Sequence, residues 1–233
     1  MHPHPDARPH APTTVRDLDE LLEREGGASL TLRFLVIHHG LRRDAARLAI
    51  AFSRAADDAD VTLAVRAFWQ VFAHVLRGHH EVEDKVVFPA AVAVEPALKD
   101  VVSALDEEHA ALHPLLDALD AAVAALPATD AARKGSVAAR ELEALLVPHF
   151  ATEEEHIVPV MRSFPPSPPG PQPDARVLAW AVLEAGPPLV EAFCAGLPEE
   201  DRAEVDRGRS ELGAIAATCF GDVQMRGSER IDS

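Results

Sequence analysis

Apolar residues recur along the chain at alternating spacings of four and three, which is the period of an amphipathic α-helix. Four such stretches lie between residues 29 and 163, and a histidine interrupts the apolar stripe of each. An acidic turn at residues 57–60 and the prolines Pro96 and Pro127 separate the stretches. Because long helices joined by short turns run antiparallel, the pattern predicts an all-α fold, an up-down-up-down four-helix bundle.

The second and fourth helices carry the same polar signature, a histidine followed four residues later by a glutamate. In the second helix this pair falls on the stripe formed by Phe72, Leu76, His79, Glu83, Val86 and Ala90. In the fourth it falls on the stripe formed by Leu142, Leu146, His149, Glu153, His156 and Val160. Burying an imidazole and a carboxylate among apolar residues costs free energy unless a partner such as a metal ion takes up their lone pairs.

The first and third helices add one inward histidine each. One lies on the stripe Phe34, His38, Leu41, Ala45, Leu48 and Phe52, and the other on the stripe Leu105, His109, Leu112, Leu116, Leu119 and Val123. Imidazole and carboxylate ligands suit iron, manganese and zinc. Two glutamates set between four histidines nevertheless suit a pair of six-coordinate ions better than one tetrahedral zinc ion.

This pattern resembles that of the hemerythrin-like (HHE) cation-binding family, which reads H…HxxxE…H…HxxxE across four helices. The matching residues are His38, His79, Glu83, His109, His149 and Glu153, and the resemblance covers about residues 30–164. It implies a bundle around a non-haem di-iron centre, with two iron ions joined by an oxo or hydroxo bridge. Of about twelve octahedral positions, roughly two would stay open for small ligands such as O2, hydrogen peroxide (H2O2) or NO.

Polar residues next to these six leave some assignments open. His113 lies four residues after His109, and oxygen-carrying hemerythrins have a histidine pair of this kind on the third helix. His113 is therefore either a further metal ligand or a histidine hydrogen-bonded just outside the ligand set. The helical register favours Glu153 over Glu154 as the bridging carboxylate, and it places Asp84 one step off the ligand face. Three histidines fall off the stripes and are expected at the surface: His39, His74 and His80.

Composition divides the rest of the chain. Residues 1–12 are rich in histidine and proline and are expected to form a disordered tail. The bundle is assigned to residues 13–164, and residues 165–173 are predicted to form a proline-rich, extended linker. Residues 174–233 are predicted to be a helical C-terminal extension, in which no further set of metal ligands is recognisable.

Charge and composition argue against several classes of partner. The net charge of −16 argues against binding to nucleic acid or to an anionic membrane. No apolar run approaches the length needed to span a membrane, and the N-terminus lacks the apolar segment of a signal peptide. The two cysteines, Cys194 and Cys219, form no disulfide framework. These features predict a cytoplasmic protein.

The resemblance implies a function in handling peroxide or other reactive oxygen and nitrogen species, because several bacterial hemerythrin-like proteins are linked to peroxide. If the protein is an enzyme, the expected reaction is a catalase-like disproportionation of hydrogen peroxide. Two alternatives stay open. One is a module that reversibly binds O2 or NO, or senses iron or redox state, without turnover. The other is a structural helical bundle whose histidines bind whatever metal is offered.

Overall fold

The structure, a computed structural model, describes residues 15–26, 29–164 and 174–221. The predicted tail at residues 1–12, the predicted linker at 165–173 and the end of the C-terminal extension lie outside these residues. Within them the chain is helical and contains no strand, as the apolar periodicity predicts. None of the described helices is long and apolar enough to cross a membrane.

The α-helices follow one another along the described parts of the chain. Their bounds are Val15–Glu25 (α1), Leu30–Ala55 (α2), Ala59–Val82 (α3), Phe88–Val94 (α4), Lys99–Ala125 (α5), Thr129–His156 (α6), Val158–Met161 (α7), Ala175–Ala181 (α8), Pro187–Phe193 (α9) and Glu199–Phe220 (α10). A π-helical turn, Glu83–Val87, joins α3 to α4, and a short 3-10 turn, Pro96–Leu98, precedes α5.

The four long helices α2, α3, α5 and α6 form the bundle. α2 packs against α3 and α6, and α5 packs against the same two helices, which is the arrangement of an up-down-up-down bundle. Two of these helices begin at side-chain caps. Ser29 Oγ accepts the backbone N–H of Leu32 at 3.0 Å, and the Asp58 carboxylate accepts those of Asp60 and Val61. The predicted helical bundle is confirmed.

α3 gives way to the π-helical turn at Glu83, one of the predicted ligands. In this turn the backbone N–H of Phe88 donates to the carbonyl of Glu83, five residues earlier rather than four. Pro89 follows directly. It has no N–H, and its ring would clash with the carbonyl four residues before it in a regular α-helix. The proline therefore gives a physical reason for the widened turn.

The extra residue in the π-helical turn shifts the buried face of the chain by one position. Val87 and Ala91 are buried, whereas Val86 is 60% exposed. The predicted stripe through Val86 and Ala90 is therefore wrong by one residue, because an α-helical spacing does not represent a turn that holds an additional residue.

The fourth bundle helix repeats this break after its own glutamate. α6 ends at His156, and the short helix α7 follows with Pro159 near its start. Ile157 is fully buried, while His156 and Val160 are only partly buried. The predicted stripe through His156 and Val160 is therefore also wrong by one residue, because the helix is interrupted between Glu153 and Pro159.

The C-terminal helices share the core of the bundle. α8 and α10 pack against α2 and α3. The indole of Trp180 is fully buried and lies against Gly40 of α2. Phe220 meets Phe68 of α3 edge-to-face, with ring centroids 5.0 Å apart. The helical extension therefore completes the apolar cover of α2 and α3.

Candidate metal centre

The six predicted ligands of the family pattern converge in the interior of the bundle. Each long helix contributes one histidine, in the order His38, His79, His109 and His149. The π-helical turn adds Glu83, and the last turn of α6 adds Glu153. Both glutamates are fully buried, a position in which a polar group needs a partner.

The donor atoms form two groups that share Glu83. The first group holds His38, His79, Glu83 and Glu153, and the second holds His80, Glu83, His109 and His149. Within each group, one donor atom of each residue lies within 4.8 Å of one such atom of every other residue. Ligand atoms about 2.1 Å from a six-coordinate ion lie about 3 to 4 Å apart, so each group has the dimensions that one ion can fill.

Glu83 lies between the two groups and directs one oxygen towards each. Its Oε1 is 2.9 Å from His79 Nε2 and 3.9 Å from His38 Nε2. Its Oε2 is 3.6 Å from His109 Nε2, on the other side. The carboxylate therefore lies between the two groups and offers one oxygen to each.

Glu153 faces both groups as well. Its Oε2 is 3.4 Å from His38 Nε2 and 3.5 Å from His149 Nε2. The adjacent Glu154 instead accepts hydrogen bonds from His38 Nδ1 and from Arg42. The structure thus places Glu153, and not Glu154, among the inward donor atoms.

A carboxylate outside the cluster supports three of the histidines. In each pair the histidine Nδ1–H donates to the carboxylate: His38 to Glu154 (3.0 Å), His109 to Asp84 (2.7 Å) and His149 to Glu108 (2.8 Å). Such a bond fixes the tautomer and turns Nε2 towards the cluster. Sequence reasoning set Asp84 and Glu154 aside as lying off the ligand face and missed this role. The available signal was that an acid directly follows each ligand glutamate.

Burial keeps histidines of the cluster neutral. Burial is the largest cause of the lowered pKa of His79. It is also the largest cause of the shifts that lower the pKa of His80 to about 2 and that of His149 to about 3. A neutral imidazole carries a lone pair on one ring nitrogen, and this is the form that binds a metal ion.

The pKa values of the two buried carboxylates shift in opposite directions. Burial raises the pKa of Glu83, but His79 and His38 outweigh burial and lower this pKa well below its ordinary value. Burial, and then the charge of Glu83, raise the pKa of Glu153 well above its ordinary value. Two carboxylates this close do not both ionise at low cost unless a cation lies between them. The cluster is therefore a place that favours positive charge.

Two of the three histidines expected at the surface are buried. His80 is 7% exposed, and its ring stacks on His109 with centroids 4.1 Å apart. His39 is buried as well, whereas His74 is exposed as predicted. His80 lies seven residues after Ala73 and four after Leu76, both of which are buried, so the buried face of α3 is wider than the predicted stripe and includes this histidine.

His113 belongs to neither group of donor atoms. It is exposed, while Leu112 and Leu116 of the same helix are buried. Four residues of an α-helix turn through about 400°, so His113 lies about 40° beyond His109 and on the outer side of α5. The structure therefore leaves this predicted ligand outside the cluster and brings His80 into it.

Nε2 of His109 and Nε2 of His149 lie 3.1 Å apart, but other buried donor atoms of the cluster have no hydrogen-bond partner among the described residues. Among the described residues, no hydrogen bond of acceptable geometry satisfies Nε2 of His38, His79 or His80 or either oxygen of Glu83 and Glu153. Each buried group left in this state costs about 1–3 kcal/mol. Neutral imidazoles and carboxylates are the donor set that suits iron, manganese and zinc. The residues present therefore fit a metal centre.

A helical bundle with two groups of histidine and glutamate donors in its interior belongs to the class of metal-binding four-helix bundles. The sequence model of the hemerythrin HHE cation binding domain matches residues 32–161, more than half of the chain, and this range includes all six residues of the predicted pattern. The chain belongs to the hemerythrin HHE cation-binding family. No curated protein and no solved structure matches it.

Proposed function

We propose that the chain is a non-haem di-iron protein that binds small ligands derived from O2 and handles hydrogen peroxide. The observation that carries this proposal is the position of Glu83, whose two oxygens face different histidines. A carboxylate in that position suits two ions better than one. Membership of a cation-binding family favours iron among the metals that imidazole and carboxylate ligands accept.

The ligands divide between two ions in this proposal. His38 and His79 hold one ion, His109 and His149 hold the other, and the two buried glutamates are shared. When bound, a pair of iron ions supplies the two-electron redox chemistry that peroxide disproportionation requires. In that reaction one molecule of hydrogen peroxide is oxidised to O2 while a second is reduced to two molecules of water.

The residues around the cluster shield it with aromatic rings. The rings of Phe34 and Phe150 lie 4.2 Å and 4.4 Å from the His38 ring, and Phe88 stacks on His109 at 5.5 Å. Apolar walls exclude water and strengthen the electrostatic interactions inside a site. The chain also contains no tyrosine, so no tyrosyl radical can form beside the centre.

The same aromatic walls favour a second function, the reversible binding of O2 or NO without turnover. Both molecules are small and nearly apolar, and the phenylalanines that flank His38 offer them a hydrocarbon environment. This function uses the same di-iron centre, and it differs from the first in leaving the ligand chemically unchanged.

Metal analysis, with absorption spectra before and after addition of peroxide, tests these proposals. We expect about two irons per chain in iron-replete protein, together with evolution of O2 from hydrogen peroxide at an oxygen electrode. A spectrum that changes reversibly with O2 or NO, without O2 evolution from peroxide, would support the second function. One zinc ion per chain, or no bound metal, would contradict both.

A pair of variants on neighbouring residues sharpens the test. Glu83→Ala removes the carboxylate that faces both groups and should abolish the di-iron spectrum. Glu81→Ala removes an exposed carboxylate from α3 and should leave the spectrum unchanged. Equal spectra from the two variants would contradict the bridging position of Glu83.

A further inference from the structure

His79 and His80 are adjacent in the chain, yet both belong to the buried cluster. Successive residues of an α-helix point about 100° apart, so one of two neighbours ordinarily faces away from a core. Here the backbone N–H of Glu83 is shared between the carbonyls of His79 and His80 at the start of the π-helical turn. The two rings are 5.7 Å apart between centroids and reach different groups of donor atoms.

His80 lies against the second group of donors. Its ring stacks on His109 at 4.1 Å and 26° and meets His149 edge-on at 5.4 Å and 83°. Among the described residues its Nε2 atom has no hydrogen-bond partner. A donor atom of His80 also lies within 4.8 Å of donor atoms of Glu83, His109 and His149. The imidazole therefore has an unused lone pair beside a set of metal donors.

We infer that His80 is itself a metal ligand and gives the second ion a third histidine, an inference that rests on the proposed di-iron centre. The second ion is then held by His80, His109 and His149, and the first by His38 and His79. The centre is asymmetric, and the second ion has one open position fewer than the first.

The internal repeat provides a direct comparison for His80. His79 is followed by His80, whereas the equivalent His149 is followed by Phe150. Phe150 stacks on His38 with centroids 4.4 Å apart and an interplanar angle of 28°, almost the geometry that His80 has on His109. The two halves of the centre therefore match in packing and differ in one donor atom, because a phenyl ring has no lone pair to give.

His80→Phe tests this inference, because the repeat already accommodates phenylalanine at the equivalent position. We expect the iron-loaded, full-length His80→Phe protein to bind one more equivalent of azide per centre than the parent does. Absorption spectroscopy follows this titration. Release of iron to a chelator should be about tenfold faster or more. His113→Phe makes the same change at an exposed position of α5 and should leave both measurements at the parent values.

Azide stoichiometry and iron release equal to those of the parent in His80→Phe would overturn the inference. Titration with Co2+, whose visible spectrum reports the number of ligands, makes the same comparison without iron. If the parent protein binds Co2+ but no iron, the proposed function is contradicted. Comparison of the Co2+ spectra of the parent and of His80→Phe still decides the role of His80 in that case.

Folding of the variant is checked on the metal-free protein. Phenylalanine keeps the stacked ring and removes a buried polar atom, so the Tm of metal-free His80→Phe should be no lower than that of the parent. If this variant does not fold, His80→Gln replaces it in the same two titrations. Retention of the parent azide and Co2+ behaviour in His80→Gln would equally overturn the inference.

Discussion

Nδ1 of His109 lies 2.7 Å from the carboxylate of Asp84, the residue that directly follows a ligand glutamate. His38 and Glu154 form the same kind of pair at 3.0 Å, and Glu154 directly follows the other ligand glutamate. Each copy of the repeat therefore gives two consecutive acids different tasks. The first faces the cluster, and the second orients a histidine that comes from another helix.

Asp84→Asn should weaken iron binding about 10–100-fold while the protein still binds about two irons when iron is saturating. An amide orients the His109 imidazole less strongly than a carboxylate does and makes the ring less basic. Competition with a chelator measures the affinity. Asp117→Asn, which changes an exposed carboxylate on α5, is the control. If the two variants hold iron equally well, Asp84 does not support His109.

The buried glutamate and its outer neighbour should respond differently to the same substitution. Burial and the neighbouring charge of Glu83 raise the pKa of Glu153 well above its ordinary value and so disfavour its charged form in metal-free protein, and glutamine imitates the neutral form. Glu153→Gln should therefore leave the metal-free protein at least as stable as the parent at pH 7. Its iron-loaded form should lose the di-iron spectrum, because an amide is a poor bridging ligand.

Glu154→Gln is the matched comparison for that variant. It leaves the inward donor atoms in place, so the iron content of protein loaded at saturating iron should stay close to that of the parent. Metal analysis and chemical unfolding of both proteins check the pair. A Glu154→Gln protein that loses its iron while Glu153→Gln keeps it would reverse the assignment of the two acids.

The apolar period was enough to predict the four helices and their inward histidines. His38 and His109 each stand on an otherwise apolar stripe, and the structure buries both. The apolar spacing places a histidine on the buried face as long as the helix is regular up to that histidine. This condition holds for His38 in α2 and for His109 in α5. His113 is less well predicted, because two consecutive steps of four from Leu105 through His109 carry its side chain about 80° around the helix, whereas Leu112 follows His109 by three and stays on the buried face.

One feature that the sequence did not predict is the form of the break after each glutamate. Pro89 and Pro159 occur at the same offset and signal an interruption, but a proline does not specify whether a helix kinks, ends or widens. The inward position of His80 was missed because the buried face of α3 also includes Ala73 and Leu76 and is therefore wider than the stripe that contains His79. The sequence could not identify His109 as the partner of Asp84, because only the packing of α5 brings the two side chains together.

The contact between the extension and the bundle can be tested at a glycine. A Cβ atom at Gly40 would lie 2.7 Å from the ring of Trp180, which is fully buried. Gly40→Ala should therefore destabilise the metal-free protein by about 1–3 kcal/mol, through overpacking. Urea unfolding provides the measurement.

Gly78→Ala is the control for that substitution, because among the described residues nothing lies within 4 Å of a Cβ at this helical position. Alanine should here stabilise the protein by about 0.5–1 kcal/mol, since it restricts the unfolded chain and favours the helix. Stabilisation by both alanines would mean that Trp180 does not pack against α2.

A buried carboxylate ties α1 to the end of α7. Arg162 donates to Glu25 through Nε at 3.1 Å and through Nη2 at 2.6 Å, and Thr31 donates to the same carboxylate at 3.0 Å. The hydrogen bond from Arg162 is the main cause that lowers the pKa of Glu25 to about 2, against the opposing effect of burial. The ion pair between Glu25 and Arg162 therefore stays intact in the folded protein until the pH approaches about 2.

Glu25→Gln should lower the free energy of unfolding of the metal-free protein by roughly 1 kcal/mol at neutral pH, since Arg162 is half exposed and solvent weakens the pair. Because the folded-state pKa lies below the unfolded value of about 4.3, the pair stabilises the fold fully above that pH and loses its effect as the pH falls towards about 2. Urea unfolding of parent and variant should show a difference that shrinks over this interval. Glu23→Gln, an exposed change on the same helix, should show no such trend. A difference between Glu25→Gln and the parent that stays constant from neutral pH to about pH 2.5 would mean that the Glu25 charge does not stabilise the contact between α1 and α7.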